Sequence, residues 1–384
     1  MKRLLMIMIL CQPLSHAVAQ GSNMQCGKAK FLVHSSALSP DDTLELRVWA
    51  DVVGYEFRNP YKTYRATKTN GSYHFMLDSV APASRMSLHL GYQRKKGKPA
   101  HGILTLLVID PGDSVTLSLS PKRGVMRGGG YDSGDPIMLA NWECSFTGRG
   151  ADKFNAAYAA YLMSAVAFNS PDVNPIKNNP VKSLQWHLSR VDSLDREAHL
   201  RLDRYERSIR PATYRLMLAD IHGLYGHTRI YMLERMLLAH RAASPVRDSI
   251  LTWCKEEFAR NAKFADAFSE VLASSPNAIE CLEKSHELAY HVESGNYDLV
   301  SLYAVMKKLP LETAAKDKVL TLLLKRRFHR NPLRSLFEDA QNTITDPYCR
   351  ELLADLDHVI AGNRALNFSL PDANGNNPAA LKAC

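Results

Sequence analysis

The chain has 384 residues, 46% of them hydrophobic and 23% charged, with 48 Lys and Arg against 39 Asp and Glu for a formal net charge of +9. That length suffices for two or three domains with a core each, and the basic excess is spread along the chain instead of forming the stripe that a nucleic-acid footprint requires, so nucleic acid is not expected as a partner. No apolar run approaches the roughly 20 residues that span a bilayer, so no transmembrane helix is expected.

Lys2 and Arg3 precede an apolar run from Leu4 to Leu10, and Ala17-Val18-Ala19 forms a small-x-small site before Gln20. This pattern predicts a secretory signal peptide over residues 1–19 and export to the periplasm or cell envelope. Without Lys2 and Arg3 the chain keeps 46 basic against 39 acidic residues, a formal +7. Leu10 stands directly before Cys11, where a lipoprotein signal places a small residue, which argues against a lipid anchor at Cys11.

Residues 20–148 read as a β domain. Leu44, Leu46 and Val48 alternate along one run and Tyr73, Phe75 and Leu77 along another, the period of half-buried strands. Asn70-Gly71 predicts a tight hairpin joining 61–68 to 72–78, because both residues tolerate positive φ. Asp110-Pro111-Gly112-Asp113 predicts a second reversal between strands over 103–109 and 114–119. With a further strand over 86–92, these elements suggest an antiparallel β-sandwich. Gly128-Gly129-Gly130 lacks the Gly-Lys-Ser/Thr continuation of a phosphate loop and reads as a surface loop.

From residue 149 to 362 the period changes to 3.6 and predicts an all-α domain. Helices are expected over 181–209, 215–240, 245–260, 263–273, 277–292, 297–308, 311–328, 332–342 and 347–361, with Pro310, Pro332 and Pro347 marking starts. His286 and His291, like His222 and His227, are five apart, so on a regular helix the second ring points roughly 140° from the first and one metal cannot sit between them. The cations of Lys325-Arg326-Arg327-Phe328-His329-Arg330 are read as complementing a helix C-terminus. Tyr158, Tyr161 and Phe168 are read as core packing.

After the signal peptide six cysteines remain, Cys26, Cys144, Cys254, Cys281, Cys349 and Cys384, and none lies within two residues of another. A dithiol centre needs both sulfurs in one helical turn, so none can be built locally. An even count in an oxidising compartment permits disulfides in 15 pairings, which the sequence does not choose among. Cys254 and Cys281, at helical apolar positions, are expected to be buried free thiols. No catalytic, cofactor-binding or metal-binding residue is assigned. The acidic residues form no recognisable pair of the kind a glycosidase uses.

In the tail, Phe368 and Leu370 alternate around Ser369, and Pro371 to Gly375 supply a turn, with Leu381 on a return strand. This stretch resembles the opening hairpin of the TlpA-type, thioredoxin-like periplasmic thiol-disulfide oxidoreductases. Residues 20–148 resemble a small β-sandwich found ahead of such domains in exported Gram-negative bacterial proteins. The carriers there are Thr69-Asn70-Gly71-Ser72-Tyr73-His74-Phe75, Pro111-Gly112-Asp113-Ser114-Val115 and Phe146-Thr147-Gly148-Arg149-Gly150-Ala151-Asp152-Lys153. The resemblance implies an α+β multidomain protein: sandwich, helical domain, and over residues 363–384 the start of a thioredoxin-like domain that stops before its Cys-x-x-Cys. It implies exported thiol or disulfide proteins as partners, and a chain that is itself redox-inactive for want of the dithiol. The alternative is a non-enzymatic envelope protein that binds or scaffolds.

Overall fold

A computed structural model describes residues 26–38, 41–54, 61–90, 101–121, 142–169, 179–295, 298–327 and 334–357. The predicted signal peptide, Cys11, the glycine loop at 128–130, Phe328 to Arg330, Cys384 and the thioredoxin-like tail lie outside these residues.

The protein is mixed α+β. Eight strands come first: β1 (Gly27–His34), β2 (Thr43–Trp49), β3 (Lys62–Thr67), β4 (Ser72–Val80), β5 (Ser84–Leu90), β6 (His101–Ile109), β7 (Ser114–Pro121) and β8 (Trp142–Arg149). They form two four-stranded sheets, ordered β4-β1-β7-β8 and β3-β2-β5-β6. Pairing is antiparallel except between β1 and β7, which run parallel with Lys30 opposite Ser114. The expectation of a purely antiparallel arrangement is corrected at that one ladder.

The Asn-Gly turn forms, with Asn70 at φ 50° and Gly71 at φ 82°, but the hairpin it was expected to close does not. Beyond one bridge between Thr69 and Ser72, β3 pairs with β2 while β4 pairs with β1 in the other sheet. Side chains span the gap instead: Lys62 Nζ and Tyr64 Oη both donate to Asp78 Oδ1 at 2.7 Å. The Asp110 to Asp113 turn likewise carries the chain from one sheet to the other. Alternating apolar residues drive this, because Leu44, Leu46, Tyr73, Phe75, Leu77 and Leu117 all bury in a single core that neither sheet could enclose alone.

Ten α-helices follow among the described residues: α1 (Ala151–Asn169), α2 (Pro180–Asp203), α3 (Pro211–Ala239), α4 (Pro245–Ala267), α5 (Ser269–Leu272), α6 (Pro276–Ser294), α7 (Leu299–Lys307), α8 (Thr313–Arg327), α9 (Arg334–Thr343) and α10 (Pro347–Asp357). Proline opens α2, α3, α4, α6 and α10, where the missing N–H has no helical acceptor to lose. Asn179, Ser244 and Ser275 cap α2, α4 and α6 through side-chain oxygens that accept from the backbone. The helix expected over 263–273 is instead the end of α4 followed by the single turn α5. Helix α8 starts three residues after Pro310.

Helix α3 is the centre of the helical part. Gly223 faces α6 so closely that a Cβ would collide with the backbone of Asn277 and Ala278. A glycine inside a helix costs about 1 kcal/mol relative to alanine, and here it admits the tight crossing. The main core runs without interruption from the sheets through α1, α3, α6, α8 and α10. A smaller cluster, including Leu184, Ile230, Leu237, Ile250 and Cys254, lies between α2, α3 and α4.

Candidate functional site

The densest buried chemistry lies where the two-sheet part meets the helices. Pro111 and Gly112, the latter at φ 87°, fold the β6 to β7 link so tightly that the Asp110 N–H donates to Asp113 Oδ2 at 2.8 Å. Both carboxylates therefore face the same way. Strand β8 ends at Arg149, and Gly150, at φ 87°, swings the chain into α1 so that Lys153 on its first turn points at the pair. A Cβ at Gly150 would collide with Asp113 Oδ1, so glycine is required there both by conformation and by space.

Lys153 Nζ lies 2.6 Å from Asp110 Oδ2 and 2.6 Å from Asp113 Oδ2, with all three side chains less than a tenth exposed. Asp110 has further donors: the Ala83 N–H at 3.0 Å, Arg210 Nη2 at 2.5 Å and, weakly, Thr213 Oγ1 at 3.4 Å. Burial works to raise the Asp110 pKa, but the Lys153 charge and these donors overcome it and hold the carboxyl down at about 2. Asp113 has fewer donors, and burial pushes its carboxyl up. Beside the cluster an opening of about 370 Å³ is walled by the turn, the start of α1 and the link into α3. Arg149 stands exposed at its edge.

A second buried junction lies deeper. Arg85 on β5 reaches α3, where its Nη1 donates to Asp220 Oδ2 at 2.5 Å, and its Nη2 donates to the Ser274 carbonyl at 2.7 Å. Ser275 Oγ donates to Asp220 Oδ1 at 2.7 Å. Burial pushes the Asp220 carboxyl up against the hold of Arg85. Lys318 on α8 also reaches back, to Asp51 and, at 2.6 Å, to the Ala273 carbonyl. A third set links Arg229 on α3 to Asp195 on α2 at 3.1 Å and to Glu257 on α4 at 3.0 Å.

His222 and His227 lie on α3, and burial lowers both to about 4, leaving neutral rings at ordinary pH. His222 stacks on Phe264 with centroids 4.1 Å apart. Among the described residues no group of three or more His, Cys, Asp or Glu could hold a metal. The described cations ending α8, Lys325, Arg326 and Arg327, occupy its last turn as expected, and two of them also reach another helix. Arg326 pairs with Glu283, and Arg327 with Glu287, so they bind α8 sideways to α6. Tyr158 packs against the core and donates to the Trp142 carbonyl at 2.5 Å, and Tyr161 packs there too. The side chain of Phe168 lies outside the described residues.

None of the five described cysteines is in a disulfide with another described residue. Cys254 and Cys281 are fully buried, as expected, and so is Cys349. Burial raises the Cys254 thiol to about 12 and pushes Cys281 and Cys349 up as well, so none of the three offers a thiolate nucleophile near neutral pH. Asp110, Asp113 and Lys153 were visible in the sequence only as a turn and a link. Their signal was the unusual density of glycine and charge in Pro111-Gly112-Asp113 and Gly148-Arg149-Gly150-Ala151-Asp152-Lys153. Among the described residues no helix is long and apolar enough to cross a membrane.

A scan of protein-family models finds none that matches the chain, and a search of curated proteins likewise finds no match.

Proposed function

We propose that this chain is an exported accessory portion of a thioredoxin-like thiol-disulfide oxidoreductase, arranged as a β-sandwich followed by a helical domain, and that it holds and presents instead of reacting. The observation that carries the reading is how the ionic groups are used. Arg85, Lys153 and Lys318 are buried cations committed to fixing strands and loops of the first part against helices of the second. Three of the described thiols, Cys254, Cys281 and Cys349, are shut away from substrate. Such a body supports a partner domain rigidly and does no thiol exchange itself. The sequence pattern of residues 1–19 supports export, and that of residues 363–384 supports the thioredoxin-like relationship.

An insulin-reduction assay tests this. The purified chain is expected to leave the rate with dithiothreitol unchanged, and a thiol-dependent acceleration would overturn the reading. A second reading, a non-enzymatic envelope protein that binds a partner, is favoured by the opening beside Lys153 and Arg210. Pull-down from an envelope extract tests it, using the wild type and Arg149→Glu. Specific capture that the variant loses would support it, and identical profiles would reject it.

A further inference from the structure

The Asp110, Asp113 and Lys153 cluster has one amine for two carboxyl groups, and neither carboxyl is free to leave. The geometry points to an intramolecular isopeptide bond between Lys153 Nζ and the side-chain carbonyl carbon of Asp113, formed with loss of one water and with Asp110 as the proton carrier. This is a covalent modification of the accessory body, independent of any thiol chemistry.

Proximity comes first. Lys153 Nζ is in hydrogen-bond contact with Asp113, and the backbone on both sides is fixed: by the tight turn at Pro111-Gly112 and by the start of α1. Groups held so converts a bimolecular condensation into an internal one, with effective molarities that reach about 10⁵ M or more. The three side chains are 4–8% exposed, which limits the water that reaches them from the bulk. On the far side Lys153 Nζ lies 5.5 Å from the centre of the Phe154 ring, which packs on Phe31 and Phe146.

The two carboxyl groups are not equivalent. Asp110 also accepts from Arg210 and the Ala83 N–H, so it remains a carboxylate if Lys153 gives up its proton. Among the described residues Asp113 has Lys153 as its side-chain donor, and burial pushes its carboxyl toward the neutral acid. In the first step of the proposed reaction the ammonium proton is transferred across the contact to Asp113, giving a neutral amine beside a carboxylic acid. The amine lone pair attacks the Asp113 carbonyl carbon, forming the C–N bond and a tetrahedral centre. Asp110 takes the proton from that nitrogen and delivers it to the departing hydroxyl, the C–O bond breaks, and water leaves through the adjoining opening. Asp110 ends as it began, as a carboxylate. Two buried charges are replaced by one neutral amide, which relieves the desolvation penalty they carried and favours the product.

The test is mass spectrometry of the purified full chain, denatured and digested with trypsin. The expected result is a species lighter by one water in which the segment carrying Asp113 is joined to the segment carrying Lys153, with no cleavage after Lys153. Cleavage after Lys153 with both segments at their sequence masses would overturn the proposal. Loss of water without joined segments, which marks a cyclised aspartate, would overturn it too. Lys153→Arg keeps the charge but cannot form the bond, and is expected at full mass. Asp110→Asn is expected to be mostly unjoined, and complete joining in that variant would remove Asp110 from the step. If either variant fails to fold, the wild-type digest decides alone.

Discussion

The Arg85 and Lys153 junctions both carry a buried cation from one half of the molecule to the other, and they differ in enclosure. Arg85 meets one carboxylate, Asp220, and its Nη2 also donates to the Ser274 carbonyl in an enclosed site. Lys153 meets two carboxylates and lies beside an opening. A pair sealed in the interior is a clamp, whereas a cluster at the wall of an opening keeps groups within reach of protonation or condensation. The difference places the structural load on α3 and the reactive groups on the turn before β7.

Removing one partner of the sealed pair has the largest expected effect. Asp220→Ala leaves the Arg85 guanidinium buried and uncompensated, and should lower stability by about 3 to 5 kcal/mol in urea denaturation. The double change Arg85→Met with Asp220→Leu should be less harmful than Asp220→Ala alone, because no charge is stranded. A double change as harmful as the single would show that the site matters through shape instead of charge.

Acid should act on the clamp region next. Burial lowers His222 and His227 to about 4, and burial with the Arg47 charge lowers His89 to about 4. In the unfolded chain these rings titrate near 6.5, so the unfolded state takes up their protons first. Their contribution is complete above about pH 6.5 and is lost as pH falls toward about 4, by about 2 to 3 kcal/mol for each ring that remains buried. Urea midpoints measured across that window should fall with acid, and His227→Gln should flatten the fall. A pH-independent midpoint would mean that the rings are already hydrated in the folded state.

Ser275 sharpens the comparison at smaller scale, since it both caps α6 and donates to Asp220. Ser275→Ala should cost about 1 to 2 kcal/mol, and a coupling with Asp220→Ala in a double-mutant cycle should reveal the shared bond. At the bottom of the range stands the exposed pair of Lys62 and Asp78. Lys62→Ala should leave the urea midpoint where it is, as surface pairs usually contribute little.

Local features of the fold were legible in the sequence, while the long-range ones were not. Period-two alternation located the strands, and period 3.6 located the helices, because both are set by which residues share a face. The Asn70-Gly71 turn was also readable, but whether its flanking strands pair depends on β1 and β2, which take them into different sheets. Both buried junctions were hidden for the same reason: Arg85 and Asp220 are 135 residues apart and Asp110 and Lys153 are 43 apart. Spacing arguments on the histidine pairs needed no long-range information, because each pair lies on a single helix. The basic run does close α8, but its pairing with α6 was not readable because the acidic face that receives it is supplied by another element.

The parallel ladder between β1 and β7 has a kinetic consequence. Lys30 waits for Ser114, so β1 obtains its second neighbour only after 84 further residues have been made. Contacts of such sequence separation must overcome loop-closure entropy before they contribute, and they slow folding. During synthesis the first strand therefore lingers with one side unzipped, and that interval is when the nascent chain is most exposed to self-association.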